Sequence, residues 1–153
     1  MNIDAAEAES ADMQGTLRKP PRREFELARV LLVDDDVTSR LALKAVLEAG
    51  GYFVDSAASA AEAVGKLDER QYELVLSDLQ MESPKAGLKV IAHARHMEYK
   101  PATAILTTYR TMRTGEPPPV LIEPEDLPNL LGKVADLISQ RAARLVERQL
   151  KQA

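Results

Sequence analysis

The chain contains no cysteine, which excludes disulfides, thiol nucleophiles and zinc-thiolate centres and is compatible with a reducing compartment. It has no apolar run approaching the roughly 20 residues that cross a bilayer, so no membrane insertion is expected. The opening residues Met1 to Ala11 are acidic and alanine-rich, unlike the apolar centre of a secretion signal, and the expected location is cytoplasmic. Excess positive charge is also missing. The net charge is −4, acidic residues are spread along the chain and no DNA-binding motif is visible, so nucleic acid is not an expected partner. With 153 residues, 45% of them hydrophobic, the chain can bury one ordinary core.

What is present is a regular alternation of short apolar runs and helical patterns. Residues 1–27 read as a flexible tail, acidic up to Glu9 and then basic at Arg18-Lys19-Pro20-Pro21-Arg22-Arg23, with little apolar periodicity. From Arg29 the pattern predicts a strand to Val33, then a helix with Leu41, Ala42, Ala45, Val46 and Ala49 on its apolar side, stopping at Gly50-Gly51. A second strand is expected over 52–56. Ser59 with Glu62 three residues on forms a capping box that opens the next helix through Ala63, Val64 and Leu67. The third strand spans 73–77, a helix over 87–96 buries Leu88, Ile91 and Ala92, and a fourth strand covers 102–106. The proline-rich segment between Thr107 and Val120 is too short for a crossover helix with its loops, so one helix is expected to be missing. Val120-Leu121-Ile122 reads as a fifth strand. A long amphipathic helix follows from about Glu125, with Leu127, Leu130, Leu131, Val134, Leu137, Ile138 and Leu145 on its apolar side. The expected organisation is a domain over 28–140 with a charged helical extension over 141–153.

Two of these strands end in carboxylate: Val30-Leu31-Leu32-Val33 runs into Asp34-Asp35-Asp36, and Leu74-Val75-Leu76-Ser77 runs into Asp78. Strands alternating with helices form a parallel sheet, whose ligands bind beyond the carboxyl ends of the strands. Several carboxylates gathered there repel one another unless a cation compensates them, and a hard divalent ion such as Mg2+ suits oxygen ligands. The alternative is that Asp34 to Asp36 merely cap a helix and Asp78 begins a loop. Capping does not explain acids on two different strands, although Asp36 itself is expected to cap the helix. His93 and His96 lie three apart on one helix, but with no third ligand in view they read as surface residues.

An acidic pair after the first strand, a lone Asp after the third and a Thr after the fourth, in a chain of five parallel strands, resemble the receiver domain of two-component response regulators. The resemblance covers about Arg29 to Gln140. It implies an α/β, flavodoxin-like doubly wound sheet of order 2-1-3-4-5. It also implies that Asp78 accepts a phosphoryl group, that Asp34, Asp35, Asp78 and the backbone carbonyl of Gln80 hold Mg2+, and that Thr107 hydrogen-bonds a phosphoryl oxygen. The expected partners are a sensor histidine kinase or phosphotransfer protein and an unknown downstream protein, with a homodimer through the terminal helix also open.

The chain departs from that pattern in three places. Where the family carries Lys after the fifth strand, usually followed by Pro, this chain has Glu123-Pro124. Reversing a charge about 4 Å from the site changes the interaction by several kcal/mol at an effective dielectric of about 20. Arg110 and Lys85 are candidate replacement cations. The aromatic residue that reports phosphorylation in the family is Val120 here, and the fourth helix of the output face is expected to be absent.

Three functions follow as expectations: a stand-alone receiver phosphorylated on Asp78, a degenerate receiver acting as a phosphorylation-independent interaction module, and a magnesium-dependent phosphatase. The last needs a general acid two residues after the nucleophile. That position is Gln80, which cannot protonate a leaving group, so the chain is not expected to be an enzyme beyond assisting its own phosphorylation and dephosphorylation.

Overall fold

Consecutive branched side chains on a strand reach opposite faces of a sheet, so an unbroken apolar run is stable only where both faces are covered. The computed structural model, which describes residues 28–79, 81–106, 121–122 and 127–152, covers both. Five strands, β1 (Arg29–Val33), β2 (Phe53–Ala57), β3 (Leu74–Asp78), β4 (Ala102–Leu106) and β5 (Leu121–Ile122), form one sheet of order β2-β1-β3-β4-β5. Every neighbouring pair is parallel. Four helices accompany them among the described residues: α1 (Val37–Ala49), α2 (Ala60–Glu69), α3 (Ala86–Arg95) and α4 (Leu127–Gln152). This is the expected flavodoxin-like order. The segment 107–120, where a helix is expected to be missing, and the tail 1–27 lie outside the described residues.

The alternation along β1 separates the two cores. Val30 and Leu32 pack with Leu43 and Leu47 of α1 and Leu130 and Val134 of α4. Leu31 and Val33 face the other way, onto Ala63 and Leu67 of α2 and Val90, Ile91 and Ala94 of α3. Each fully buried Leu, Ile or Val contributes about 1.5–3 kcal/mol relative to an exposed one.

Local signals at the helix ends hold as expected. The Asp36 carboxylate accepts from the Ser39 amide at 2.8 Å and caps α1. Ser59 Oγ accepts from the Glu62 amide at 3.1 Å, and Glu62 Oε1 accepts from the Ala58 amide at 2.9 Å, so the box closes one residue earlier than the standard pattern. Helix α1 stops at Gly50, and Gly51 takes φ 100°, a conformation that costs a side chain dearly. Ser59→Ala is expected to lower stability by about 1 kcal/mol, read as a lower denaturant midpoint at unchanged m-value.

The buried face of α1 corrects the sequence expectation. Leu43 and Leu47 are buried and Val46 packs against them, whereas Leu41, Ala42, Ala45 and Ala49 are exposed. An alanine- and leucine-rich helix offers two apolar stripes, and the short Asp34–Asp36 turn sets the phase that meets the sheet. In α3, likewise, Val90 and Ala94 join Ile91 in the core, Leu88 is half-buried and Ala92 is exposed.

Helix α4 runs unbroken to Gln152. Leu130 and Val134 are buried, and Leu131, Leu137 and Ile138 pack on the same core. Arg141 donates from Nη2 to the Tyr99 carbonyl at 2.6 Å and from Nε to the Lys100 carbonyl at 2.9 Å, fastening the helix to the turn before β4. Beyond that clamp the helix is exposed apart from half-buried Leu145.

Candidate functional site

Strand register builds the site. Val33 of β1 pairs with Ser77 of β3, so the residues that follow them, Asp34 and Asp78, emerge side by side at the carboxyl end of the sheet. Asp35 comes with Asp34 on the same turn. Among the described residues, Asp34, Asp35 and Asp78 are the one group of acidic or imidazole side chains placed to share a cation, with one carboxylate oxygen from each within 4.8 Å of the others. Asp34 is buried, Asp78 half-buried and Asp35 exposed, which leaves the cluster open on one side.

Burial and mutual repulsion both act on these acids. Desolvation, reinforced by the charge of Asp34 and more weakly by those of Asp35 and Asp36, pushes the Asp78 carboxyl from 3.8 up to about 6. A hydrogen bond from the Leu79 backbone opposes part of this rise. Burial likewise raises Asp34, opposed by the Asp36 amide, which donates to Asp34 Oδ1 at 3.0 Å. Asp36 moves the other way, lowered by its hydrogen bonds to Ser39. It is therefore spent on the helix cap and stands outside the cluster. Three hard oxygen donors converging under mutual repulsion are a donor set that fits a small divalent cation of the Mg2+ class.

The loop after β3 is packed against the start of α3. Gly87 donates from its amide to the Leu79 carbonyl at 2.9 Å, and a Cβ at position 87 would lie 2.0 Å from the Asp78 carbonyl oxygen. Ser77 Oγ, fully buried, donates to that same oxygen at 3.0 Å. Glu82, in the same loop, accepts from the Ala60 amide at 3.0 Å and so ties the loop to the start of α2.

Of the other expected site residues, Gln80, Thr107 and Glu123 lie outside the described residues, as do Arg110 and Val120. Lys85, at the N-cap of α3, is exposed. His93 is half-buried rather than free: Nε2 lies 2.8 Å from Asp68 Oδ1 of α2, a structural tie between two helices. His96 is exposed. Sequence reasoning missed Gly87 and Arg40. A glycine in the first turn of a helix is a signal for the first, since helix propensity alone disfavours it there. No local pattern marks the second.

A parallel 2-1-3-4-5 sheet with three acids at its carboxyl end defines a class, and the response regulator receiver domain model matches residues 30–116. The chain belongs to that family. Among solved structures it is similar to the response regulator protein TrrA of Thermotoga maritima, determined in complex with Mg2+ and BeF. The two are 29% identical with a TM-score of 0.64, over 72% of this chain and 99% of TrrA. Among curated proteins it is 36% identical over 78 residues to the transcriptional regulatory protein ResD of Bacillus subtilis, covering 51% of this chain and 31% of ResD. It is 30% identical over 86 residues to the transcriptional regulatory protein ZraR of Escherichia coli O157:H7, covering 56% of this chain and 19% of ZraR. The chain thus spans a third or less of those curated relatives.

Proposed function

We propose that this protein accepts a phosphoryl group on Asp78 with the help of Mg2+ and signals through partner binding as a receiver in a two-component phosphorelay. The observation that carries the reading is the convergence of Asp34, Asp35 and Asp78 carboxylates from β1 and β3. The complex of TrrA with Mg2+ and BeF and the oxygen donor set here support Asp34, Asp35 and Asp78 as its ligands, to which the family resemblance adds the Gln80 carbonyl. When bound, the ion supplies positive charge that offsets repulsion between a carboxylate and an incoming phosphoryl dianion. The Asp78 carboxylate oxygen attacks phosphorus, the bond from phosphorus to the donor's imidazole nitrogen breaks, and the imidazole leaves with the bonding pair and takes up a proton. Thr107 would hydrogen-bond the transferred group. The partners are a sensor histidine kinase or phosphotransfer protein and a downstream protein, in the cytoplasm. Among the described residues no helix is long and apolar enough to cross a membrane. No enzymatic activity is proposed beyond the turnover of its own aspartyl phosphate.

Intact mass after incubation with Mg2+ and acetyl phosphate tests this. One phosphoryl adduct on the wild type and none on Asp78→Asn is the expected outcome, and label persisting on the variant would sink the assignment. Glu123, standing where the family carries Lys, favours a second reading: a phosphorylation-independent interaction module. In that case Asp78→Asn leaves partner binding unchanged.

A further inference from the structure

The acidic turn between β1 and α1 must hold Asp34 and Asp35 in a fixed arrangement although their charges push the chain apart. Besides the bond from the Asp34 amide to the Ala57 carbonyl at 3.0 Å, four hydrogen bonds within the turn and the start of α1 secure it. The Asp36 amide donates to Asp34 Oδ1 at 3.0 Å, the Ser39 amide to Asp36 Oδ2 at 2.8 Å, and the Arg40 amide to the Asp36 carbonyl at 2.9 Å. The fourth comes from a side chain: Arg40 Nη1 donates to the Asp34 carbonyl at 2.8 Å.

Arg40 is half-buried, while the other residues of the first turn of α1, 37–39, are exposed. Its side chain folds back toward the helix N-terminus, the direction helical side chains prefer, and brings the guanidinium onto the Asp34–Asp35 peptide just after β1. It is also the cation whose charge is felt by Asp34, and it acts on Asp36 as well. The guanidinium therefore grips the backbone of one acid of the site.

We propose that Arg40 is a positioning residue of the cation site: by clamping the Asp34 carbonyl it holds the Asp34–Asp36 turn in the conformation that presents the Asp34 and Asp35 carboxylates to a divalent ion. This rests on reading Asp34, Asp35 and Asp78 as that ion's ligands. Groups that orient metal ligands without touching the metal typically account for about 10–100-fold in affinity when removed.

The sign of the effect separates positioning from simple electrostatics. A guanidinium near a cation site repels the ion, so if charge were its whole contribution, deleting it would tighten binding. If Arg40 holds the ligands in place, deleting it weakens binding despite the lost repulsion.

The test is calorimetric titration of the full chain with Mg2+, and with Mn2+ followed by electron paramagnetic resonance, for wild type, Arg40→Met, Arg40→Lys and Asp34→Asn. Met keeps most of the stem that packs on the helix and removes charge and donors together. Lys keeps the charge and one donor direction but loses the planar fork. Thermal unfolding without metal accompanies each titration.

The expected result is about tenfold weaker Mg2+ and Mn2+ binding in Arg40→Met and a smaller loss in Arg40→Lys, with faster amide exchange at Asp36 and Ser39 in both. Unchanged or tighter binding in Arg40→Met, with wild type binding and Asp34→Asn defective, would overturn the inference and leave the functional reading standing. Wild type that binds neither ion would overturn both. If Arg40→Met does not fold, Arg40→Lys decides: an affinity and amide exchange equal to wild type would defeat the proposal.

Discussion

Gly87→Ala is expected to lower stability by about 3 kcal/mol or more and to abolish divalent-cation binding. The added methyl would sit 2.0 Å from the Asp78 carbonyl oxygen and 2.8 Å from both the Cα and the carbonyl oxygen of Leu79. All three are backbone atoms, which cannot rotate aside as a flexible side chain would. One belongs to Asp78, which pairs with Leu106 of β4, and Gly87 itself is bonded through its amide to Leu79. Overpacking in a filled interior typically costs about 1–3 kcal/mol and occasionally more, and a clash with fixed backbone belongs at the upper end. For a domain of this size the thermal midpoint should fall by roughly 15 °C. Either α3 moves out or the Asp78 peptide shifts, and in both cases the third carboxylate leaves the cluster. A variant with wild-type midpoint and Mg2+ affinity would show that the close approach of α3 to β3 does not govern the site.

The second large effect reverses sign with metal. Asp78 is raised from 3.8 to about 6 chiefly by burial and then by the charge of Asp34. A carboxyl raised on folding contributes stability that is fully present below its unfolded value, near pH 3.8, and is lost as pH rises through about 6. Above that, the folded state holds a carboxylate it disfavours. At about 1.36 kcal/mol per pKa unit the ceiling is about 3 kcal/mol, and solvent screening at a half-buried, open site brings it to about 1–2 kcal/mol. Without metal, Asp78→Asn should therefore be more stable than wild type by that amount at pH 7.5 and nearly equal to it at pH 4. With Mg2+ at a hundred times its dissociation constant, wild type gains about 2.7 kcal/mol, the variant much less, and the order inverts. Chemical denaturation across pH 4 to 8, with and without Mg2+, reads both halves. A metal-free variant no more stable than wild type at pH 7.5 would mean that the cluster carries no uncompensated repulsion.

These two effects act on the same atoms from opposite sides. Gly87 and Ser77 fix the backbone of Asp78, while Asp34 and Asp35 load its side chain with unfavourable charge. The fold thus spends part of its packing energy on holding acids together, which a divalent ion or a phosphoryl transfer can relieve. The clamp on Asp34 by Arg40 is the counterpart on β1.

Much of this was legible in the chain itself, because it depends on neighbours in sequence. The unbroken apolar runs at Val30 to Val33 and Leu74 to Leu76 require strands covered on both faces. Ser59 with Glu62 and Asp36 with Ser39 mark helix starts by bonds that close within three residues. The carboxylates at two strand ends, together with the family resemblance, located the candidate site. The tertiary structure alone decided which stripe of α1 is buried, since Leu41 and Leu43 are equally apolar and only the turn after β1 selects between them. It alone decided the residue-by-residue register that sets Asp34 beside Asp78, and that Gly87 and Arg40 support them. Those are contacts between residues far apart in the chain or a side chain folding back on its own turn, and they are selected by packing rather than by local propensity.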